Sequence, residues 1–239
     1  MDTEAQHTER DRSSPPSGSA DVPHVAESEE AEERSRSVFA SVVDWLPGGR
    51  LTLTCLVLLA ALLVVSTFLV QPFQIPSGSM QPAFRSGDRV LVNKLAYRFG
   101  SEPQRGDAVV FDGSGYFGDA DYIKRVVGTG GDRVVCCDKR GRIKVNGEPV
   151  DEPYLFPGDT PSQVPFDVVV PDDSLFLLGD HRSDSRDSRD HLGEPGGGMI
   201  PVDEVIGRAD WIAWPVGRWT SLERPDGYAR VPAPGGAHG

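Results

Sequence analysis

Lys124 and Ser79 are the two side chains whose types and surroundings could support chemistry in this chain. Only four of the 24 basic residues are lysine, and Lys124 lies in the apolar stretch 122–127. A lysine in dry surroundings loses its proton and becomes a base, whereas an arginine keeps its proton. Ser79 follows shortly after a long apolar segment. A serine, a basic lysine and a candidate membrane segment together predict a serine protease that works at a bilayer surface.

Histidine is the usual base for a serine nucleophile, and the chain has five histidines. His7, His24 and His238 lie in segments predicted to be disordered, and His181 and His191 lie in a charge-rich loop that favours solvated side chains. No Gly-x-Ser-x-Gly elbow is followed by the Asp and His of a hydrolase. Lysine is therefore the predicted base, with burial needed to lower its pKa from about 10.4. Considered alone, its segment also fits an exposed lysine on a strand edge.

Residues 51–70 form an uncharged apolar run. About 20 such residues are needed to cross a bilayer core, so the run predicts one transmembrane helix. A buried helix is the alternative, but such helices are rarely apolar on every face. Arg34, Arg36 and Arg50 precede the run, and Arg85 is the first basic residue after it. The positive-inside rule then predicts a cytoplasmic N-terminus and an extracytoplasmic location for the residues after the run.

Composition predicts how the rest of the chain is organised. The N-terminal segment is rich in Ser, Pro, Glu, Asp and Arg and has few large apolar residues with which to order itself. The C-terminal end is rich in Pro, Gly and Ala, which is typical of a frayed terminus. The predicted segments are a disordered cytoplasmic tail (1–36), a juxtamembrane segment (37–50), the transmembrane helix (51–70), an extracytoplasmic catalytic domain (71–224) and a flexible tail (225–239).

The catalytic domain is predicted to be mostly β, with short antiparallel strands. Short runs of β-branched and aromatic residues alternate there with glycine and proline. The Asn146-Gly147 pair predicts a tight hairpin turn, and only 92–99 has a helical pattern. The predicted strands are 72–76, 89–93, 107–111, 122–128, 132–137, 142–145, 166–170 and 174–178.

Charge and cysteine content exclude some functions. A net charge of −12 argues against a nucleic-acid partner. The cysteines, Cys55, Cys136 and Cys137, have no metal-binding spacing. A bond between Cys136 and Cys137 is disfavoured, because neighbouring strand positions point to opposite faces, and the sequence leaves their oxidation state open. The acidic loop 180–191 has interleaved arginines, which favour ion pairs over a metal ion, so no metal or cofactor is expected.

Four segments of the chain resemble, in order, the signature boxes of bacterial type I signal peptidases. These are 76–82 (PSGSMQP), 105–111 (RGDAVVF), 124–132 (KRVVGTGGD) and 179–189 (GDHRSDSRDSR). The resemblance covers about residues 50–215. It implies a signal-peptidase or LexA-like β fold behind one transmembrane helix. The implied activity is removal of signal peptides after Ala-x-Ala-like sites through an acyl-enzyme.

The resemblance also implies roles for single residues. Ser79 would be the nucleophile and Lys124 its general base. Ser77 would donate to an oxyanion hole completed by the backbone N–H of Ser79, and Ser185 would orient the lysine amine. A structural ion-pair brace would comprise Arg182, Asp187 and Arg189. His181 stands where the family usually has Asn, which is a departure in loop geometry rather than in a proposed catalytic atom. Another departure is the Gly-Gly-Asp after Lys124, which is usually Pro-Gly-Asp.

The substrate and partners are also implied by the resemblance. An extended signal peptide is expected to add as a strand between the edges 73–76 and 121–123. The phospholipid membrane and the export translocon are the other expected partners, at the bacterial plasma membrane. Three tryptophans, at 211, 214 and 219, could contact lipid or pack in the core. The residues predicted to line the substrate pockets are Phe73, Ile75, Tyr122 and Val126.

Two other functions remain as alternatives. A Ser-Lys autoprotease of the LexA type shares the serine and lysine, but the membrane segment and the lack of a DNA-binding module argue against it. A catalytically inactive membrane scaffold is the second alternative, and the intact Ser79 and Lys124 argue against that one.

Overall fold

The computed structural model describes residues 49–65 and 69–234. The chain divides into two compact units, residues 1–59 and 60–239. The predicted disordered tail lies outside the described residues. Residues 37–48 of the predicted juxtamembrane segment and residues 235–239 at the end of the chain also lie outside the described residues.

Helix α1 extends over Arg50–Val64, so it begins one residue before the segment predicted to span the membrane and ends within that segment. Leucine and alanine are strong helix formers, which accounts for the helix. The Thr54 hydroxyl donates to the Arg50 carbonyl oxygen (2.8 Å), a local bond that removes one polar group from an apolar surface. Among the residues described, no helix is both long and apolar enough to cross a bilayer.

The described part of the second unit holds twelve strands in two antiparallel sheets, so the prediction of a mostly β domain is confirmed. The large sheet has the order β1-β2-β11-β3-β4-β9-β10, with β12 paired to β11, and the small sheet has the order β7-β6-β5-β8. The strands are β1 (Val70–Gln74), β2 (Arg89–Asn93), β3 (Ala108–Asp112), β4 (Asp121–Thr129), β5 (Arg133–Cys136), β6 (Ile143–Val145), β7 (Glu148–Pro149), β8 (Phe166–Val169), β9 (Ser174–Leu178), β10 (Ile200–Pro201), β11 (Val205–Trp214) and β12 (Thr220–Ser221).

Every strand predicted from the sequence has a counterpart, but the longest strand, β11, was not predicted. It lies between β2 and β3, and its register shifts at three places, including Ala209/Trp211 and Ile212/Trp214. Such bulges break the alternation of buried and exposed residues that identifies a strand. The Asn-Gly turn is confirmed: Asn146 and Gly147 both have positive φ (51° and 86°) and connect β6 to β7.

One local prediction is wrong, and one arrangement that the sequence disfavoured but left open is present. Residues 92–99 are not helical: β2 continues to Asn93, whose side-chain oxygen accepts a hydrogen bond from the Leu95 N–H (3.0 Å) and starts a turn. Cys136 and Cys137 are joined by a disulfide, contrary to the argument from strand geometry. That argument does not apply, because β5 ends at Cys136 and Cys137 lies beyond it.

Buried apolar side chains anchor the segment that carries Ser79. Met80 and Phe84 have no exposed surface and pack in one cluster with Ile75, Val90 and residues from β3, β4 and β11. Fully burying a side chain of this size contributes about 1.5–3 kcal/mol. The segment after β1 is therefore held against the large sheet by its own apolar residues.

The C-terminal segment also packs on this unit. A 3₁₀ helix spans Asp226–Tyr228, and Tyr228 is buried in the core cluster beneath the small sheet. Arg224 pairs with Asp107, the residue before β3 (2.8 Å). The sequence predicts a flexible tail from residue 225, whereas the structure buries Tyr228 of that segment in the core.

Candidate active site

The side chains of Ser79 and Lys124 meet, although 45 positions separate them in the chain. Lys124 Nζ lies 2.9 Å from Ser79 Oγ and 3.0 Å from Ser185 Oγ. Both distances are those of hydrogen bonds. A base within hydrogen-bonding reach of a hydroxyl, with a third group orienting the base, is the arrangement of an activated nucleophile.

Strand pairing positions Lys124, and a turn together with a neighbouring loop positions Ser79. Lys124 lies in the middle of β4, directly opposite Val109 of β3. Ser79 lies in a turn after β1, where Gln81 N–H donates to the Gly78 carbonyl (2.9 Å). On the other side, the Ser79 carbonyl accepts a hydrogen bond from His181 N–H (3.0 Å). The segment around Ser79 is thus held by its own turn hydrogen bond and by a hydrogen bond from the 179–185 loop.

The surroundings of Lys124 favour its neutral form. Lys124 is 3% exposed and Ser79 is 7% exposed, so little water reaches either group. Burial lowers the pKa of Lys124 from 10.5 to about 8, while the negative charge of Asp187 opposes part of this shift. At pH 8 about half of the amine is then neutral, and it can accept a proton.

Ser77 and Ser185 both lie beside the contact between Ser79 and Lys124. Ser77 Oγ is 3.3 Å from Ser79 Oγ. Ser185 is buried beside the lysine amine, and the Gly179 backbone packs so closely on Ser185 Oγ that a Cβ at this glycine would overlap it. The same Cβ would come within 2.6 Å of the Ser79 carbonyl oxygen, so only glycine fits between the two serines.

The predicted ion-pair brace is present in part. Arg189 donates to both carboxylate oxygens of Asp187 (2.8 Å each), and Asp187 in turn accepts from Gly179 N–H (3.0 Å). Burial by itself raises the pKa of the Asp187 carboxyl, but Arg189 holds it below its ordinary value. The Arg182 guanidinium pairs with Glu152 instead, and only its backbone carbonyl contacts Arg189 (2.9 Å).

A second buried ion pair was not predicted. Arg125 donates to Asp180 through Nε (2.7 Å) and to the Gly106 carbonyl through Nη1 (2.8 Å). The Arg125 guanidinium also lies 4.3 Å from the ring centroid of Tyr154. Burial by itself lowers the pKa of Arg125, but the Asp180 carboxylate raises it above its ordinary value. The position of Arg125 beside Lys124 was the only sequence signal for this pair.

The four predicted pocket residues do not share one environment. Phe73 and Tyr122 are partly exposed. Val126 has no exposed surface and packs in the core with residues of β3 and β9, and Ile75 is buried in the cluster under the nucleophile segment. The structure therefore gives neither residue exposed surface with which to line the predicted substrate pockets: Ile75 follows β1 and packs in one core cluster, and Val126 lies in β4 and packs in another.

The two predicted substrate-binding edges are open on one side. Within residues 69–234, β1 pairs with β2 alone, which makes it one end of the large sheet. Strand β4 pairs with β9 only from Arg125 onward, so its residues 121–124 have β3 on one side and no ladder on the other. Both free edges carry unpaired backbone groups next to the Ser79–Lys124 contact.

The histidines of the 180–191 loop are less solvated than expected. His191 is buried, its Nδ1 lies 2.8 Å from Glu194 Oε2, and its ring stacks on Phe117 (centroids 4.7 Å apart). The His181 ring stacks on Phe156 (3.9 Å). Over the described ranges 49–65 and 69–234, no cluster of three or more His, Cys, Asp or Glu side chains could hold a metal ion.

Comparison with known proteins gives concordant matches. A family model described as signal peptidase, peptidase S26, matches residues 49–214. Signal peptidase I of Mycobacterium tuberculosis (strain ATCC 25618 / H37Rv) is 35% identical over 243 residues, covering 80% of this chain and 82% of that protein. Signal peptidase IB of Staphylococcus aureus (strain N315) is 33% identical, covering 69% of this chain and 88% of that one. A crystal structure of a signal peptidase I from Enterococcus faecalis aligns with 45% of this chain and 96% of its own, at 25% identity and a TM-score of 0.36.

Proposed function

The chain belongs to the signal peptidase family, peptidase S26, and on that premise we propose that Ser79 and Lys124 form its catalytic dyad. The protein is a serine endopeptidase that removes signal peptides from preproteins. The observation that carries the proposal is the 2.9 Å contact between Lys124 Nζ and Ser79 Oγ in buried surroundings. No other base needs to be invoked for the serine.

In the proposed mechanism, the neutral Lys124 amine takes the proton of Ser79 Oγ while this oxygen attacks the scissile carbonyl carbon. Lys124 then gives the proton to the departing amine, which leaves Ser79 acylated by the signal peptide. A water molecule, deprotonated by the same amine, attacks the ester and restores the hydroxyl. Each step uses the single proton-accepting site that Lys124 provides.

Ser77 and Ser185 have supporting roles in this proposal. The Ser77 hydroxyl and the Ser79 backbone N–H donate to the oxyanion that forms on the attacked carbonyl. Ser185 holds the lysine amine at 3.0 Å and restricts it to the side of Ser79. The Arg189–Asp187 pair fixes the loop that carries Ser185 through the Gly179 N–H.

The signal peptide is proposed to bind as an added strand between the open edges of β1 and β4. Backbone hydrogen bonds would supply affinity, and alternate side chains would enter shallow pockets beside Phe73 and Tyr122. Tyr122 is held by its hydroxyl bond to the Phe117 carbonyl (3.1 Å) and by stacking on Phe111. Rigid aromatic walls of this kind suit the small residues of an Ala-x-Ala site.

The apolar segment predicted as residues 51–70 is proposed to anchor the enzyme in the bacterial plasma membrane as one span, with the N-terminus in the cytoplasm, although its last residue, Val70, already belongs to β1. The leucine and valine side chains of α1 are exposed along its length, as lipid contact requires. The preceding arginines support the orientation. The proposed boundaries before and after the span are those given by composition: a cytoplasmic tail to residue 36, a juxtamembrane segment to residue 50 and a catalytic domain from residue 71.

The outer face of the large sheet is proposed to rest on phospholipid. Trp211, Trp214 and Trp219 are 46–66% exposed, which excludes their packing in the core. Trp211 lies opposite Leu91 of β2, which in turn lies opposite Pro72 of β1, so one apolar row crosses three strands. Tryptophan favours the membrane–water interface. The site would then face signal peptides as they leave the export translocon.

The test is cleavage of a preprotein whose signal peptide ends in Ala-x-Ala by the full chain in detergent or vesicles. The wild type and an exposed-serine control, Ser114→Ala, are expected to release the mature protein, and Ser79→Ala is expected to release none. Activity is expected to persist in EDTA. Cleavage by Ser79→Ala would refute the dyad. Cleavage of the chain itself without cleavage of the preprotein would favour the LexA-type autoprotease, and no cleavage by the wild type would favour the scaffold.

A further inference from the structure

Glu152 is a buried carboxylate outside the four segments that carry the family resemblance. We propose that Glu152 is a positioning residue of the peptidase site: it fixes Arg182 and, through Arg182, holds the 179–182 backbone against Ser79 and Ser185. The inference rests on the proposed function of Ser79. It adds to that function a residue that contacts neither the substrate nor the reacting atoms.

The contact between Glu152 and Arg182 is shielded from water. Both side chains are 2% exposed. Arg182 Nη1 donates to Glu152 Oε2 (3.2 Å) and to the Pro161 carbonyl (2.6 Å), while Nη2 donates to Glu152 Oε1. Two parallel hydrogen bonds from Nη1 and Nη2 to a carboxylate fix the orientation of the guanidinium, because both groups are planar.

Arg182 transmits this restraint to the backbone of the loop. Its Nε donates to the Gly179 carbonyl (2.9 Å), and its own carbonyl accepts from Arg189 Nη2 (2.9 Å). The Asp180 carbonyl between them accepts from Phe156 N–H (3.1 Å). The segment that contains Glu152 and Phe156 therefore holds the 179–182 backbone at two places.

The 179–182 backbone is in contact with the reacting groups. His181 N–H holds the Ser79 carbonyl at 3.0 Å, and Gly179 packs against both the Ser185 side chain and the Ser79 carbonyl. A shift of this backbone therefore moves Ser79 and Ser185 relative to Lys124. Misplacing catalytic groups by about 1 Å commonly costs about 100-fold in rate.

Two tyrosines orient the Glu152 carboxylate. Tyr154 O–H donates to Glu152 Oε1 (2.6 Å), and the Tyr228 hydroxyl lies 2.8 Å from that of Tyr154. Tyr228 lies after residue 214, where the match to the family model ends. The C-terminal segment thus completes a chain of hydrogen bonds that leads to the catalytic loop.

The charges of this buried group are balanced. Arg125 and Arg182 are the cations, and Asp180 and Glu152 are the anions that pair with them. Replacing Glu152 by glutamine keeps its size but leaves the buried Arg182 without a counter-charge. The guanidinium is then expected to seek water or another acceptor and to move the backbone that it holds.

The test compares Glu152→Gln with Asp151→Asn, a change of the neighbouring carboxylate, which is exposed and pairs with Arg142 (3.0 Å). Active sites of the full chain are counted with an acylating inhibitor of serine peptidases, and kcat and KM are measured per titrated site on a preprotein. A residue that only stabilises the fold would change the number of titrated sites and leave kcat per site unchanged.

The expected result for Glu152→Gln is a fall in kcat per titrated site of tenfold or more, with KM within twofold and Asp151→Asn like the wild type. If Glu152→Gln gives no titratable sites, Tyr154→Phe is measured in its place. Its kcat per titrated site is expected to fall threefold or more. The proposal is overturned if the variant measured, Glu152→Gln or its substitute Tyr154→Phe, has the same kcat per site as Asp151→Asn. Ser79→Ala is run in parallel: if it is titrated or cleaves the preprotein, the dyad fails, and this outcome is distinct from failure of Glu152.

Discussion

Two strand-borne lysines of this chain lie in different surroundings. Lys124 is in the middle of β4 in the large sheet, buried, with its amine between two serine hydroxyls. Lys144 is in the middle of β6 in the small sheet, partly exposed, opposite Val135. Each has an isoleucine before it in the chain, and Lys144 also has a valine after it, so the immediate neighbours do not separate the two lysines. The difference is the loop that covers Lys124 and removes water from its amine.

The ion pairs of the two regions differ in the same way. Around the catalytic loop, Arg125–Asp180 and Arg189–Asp187 have carboxylates with no exposed surface. On the small sheet, the side chains of Arg133 and Asp167 are 63% and 49% exposed. Exposed pairs contribute little to stability, whereas a buried pair leaves an unpaired charge when it is broken. Arginine–aspartate pairs occur in both regions, but only the buried pairs around the catalytic loop are expected to fix the geometry of the site.

The largest difference is expected between the two lysines. Lys124→Ala removes the base and is expected to lower kcat for preprotein cleavage by up to about 10⁴-fold. Lys144→Ala is expected to stay within twofold of the wild type, because its amine is remote from Ser79. Steady-state cleavage assays on both variants make the comparison. Equal losses in the two variants would remove the distinction between the lysines.

The ion pairs give the next largest effect. Asp180→Asn leaves Arg125 buried without its counter-charge and is expected to lower the free energy of unfolding by about 3–5 kcal/mol. Asp167→Asn, the matched change on the small sheet, is expected to leave it unchanged within error. Urea denaturation of both variants measures the two values. A similar loss for Asp167→Asn would show that exposure does not separate the pairs.

Ser77→Ala tests whether the hydroxyl next to the nucleophile contributes to the reaction. Loss of one oxyanion donor is expected to lower kcat by about 10²–10³-fold, with little change in KM, because the bond forms in the transition state. Ser114→Ala, the change of an exposed serine already used as a control, serves here too. A rise in KM at constant kcat would instead assign Ser77 to substrate binding.

The exposed tryptophans are expected to give the smallest effect. Trp219→Ser should weaken binding of the catalytic unit to phospholipid vesicles by about fivefold, from the apolar area that no longer leaves water. Cleavage of a soluble peptide should not change. Vesicle co-sedimentation and peptide assays separate the two readouts. Equal losses in both would assign Trp219 to the fold rather than to the lipid contact.

Local sequence patterns predicted most of the large sheet and the Asn146-Gly147 hairpin, since these depend on alternation and turn chemistry. They missed β11, whose bulges interrupt the alternation. The resemblance assigned Ile75 and Val126 to the substrate pockets, and a single sequence does not show that core packing leaves both side chains buried.

Ser79 and Lys124 were singled out by residue type and surroundings, and the family resemblance supplied the roles of the other site residues. Ser79 and Lys124 come together only through the pairing of β4 and the packing of the 179–185 loop. The Glu152–Arg182 pair spans 30 positions and leaves no local pattern, so the sequence assigned Arg182 to Asp187 instead. Contacts between distant segments depend on tertiary packing. The periodic patterns of a single sequence predict strands and turns, but they do not predict such contacts.

The pH dependence of kcat/KM on a preprotein or peptide substrate tests the central claim most directly, because it reports the pKa of the base in the free enzyme. The active form is the neutral amine, so activity should fall as pH falls below the pKa of Lys124. Burial sets that pKa to about 8, which predicts a tenfold rise per pH unit up to an inflection near 8 and a plateau above it. A rise that continues toward 10.5, the ordinary value for lysine, would mean that Lys124 is hydrated and would contradict the account.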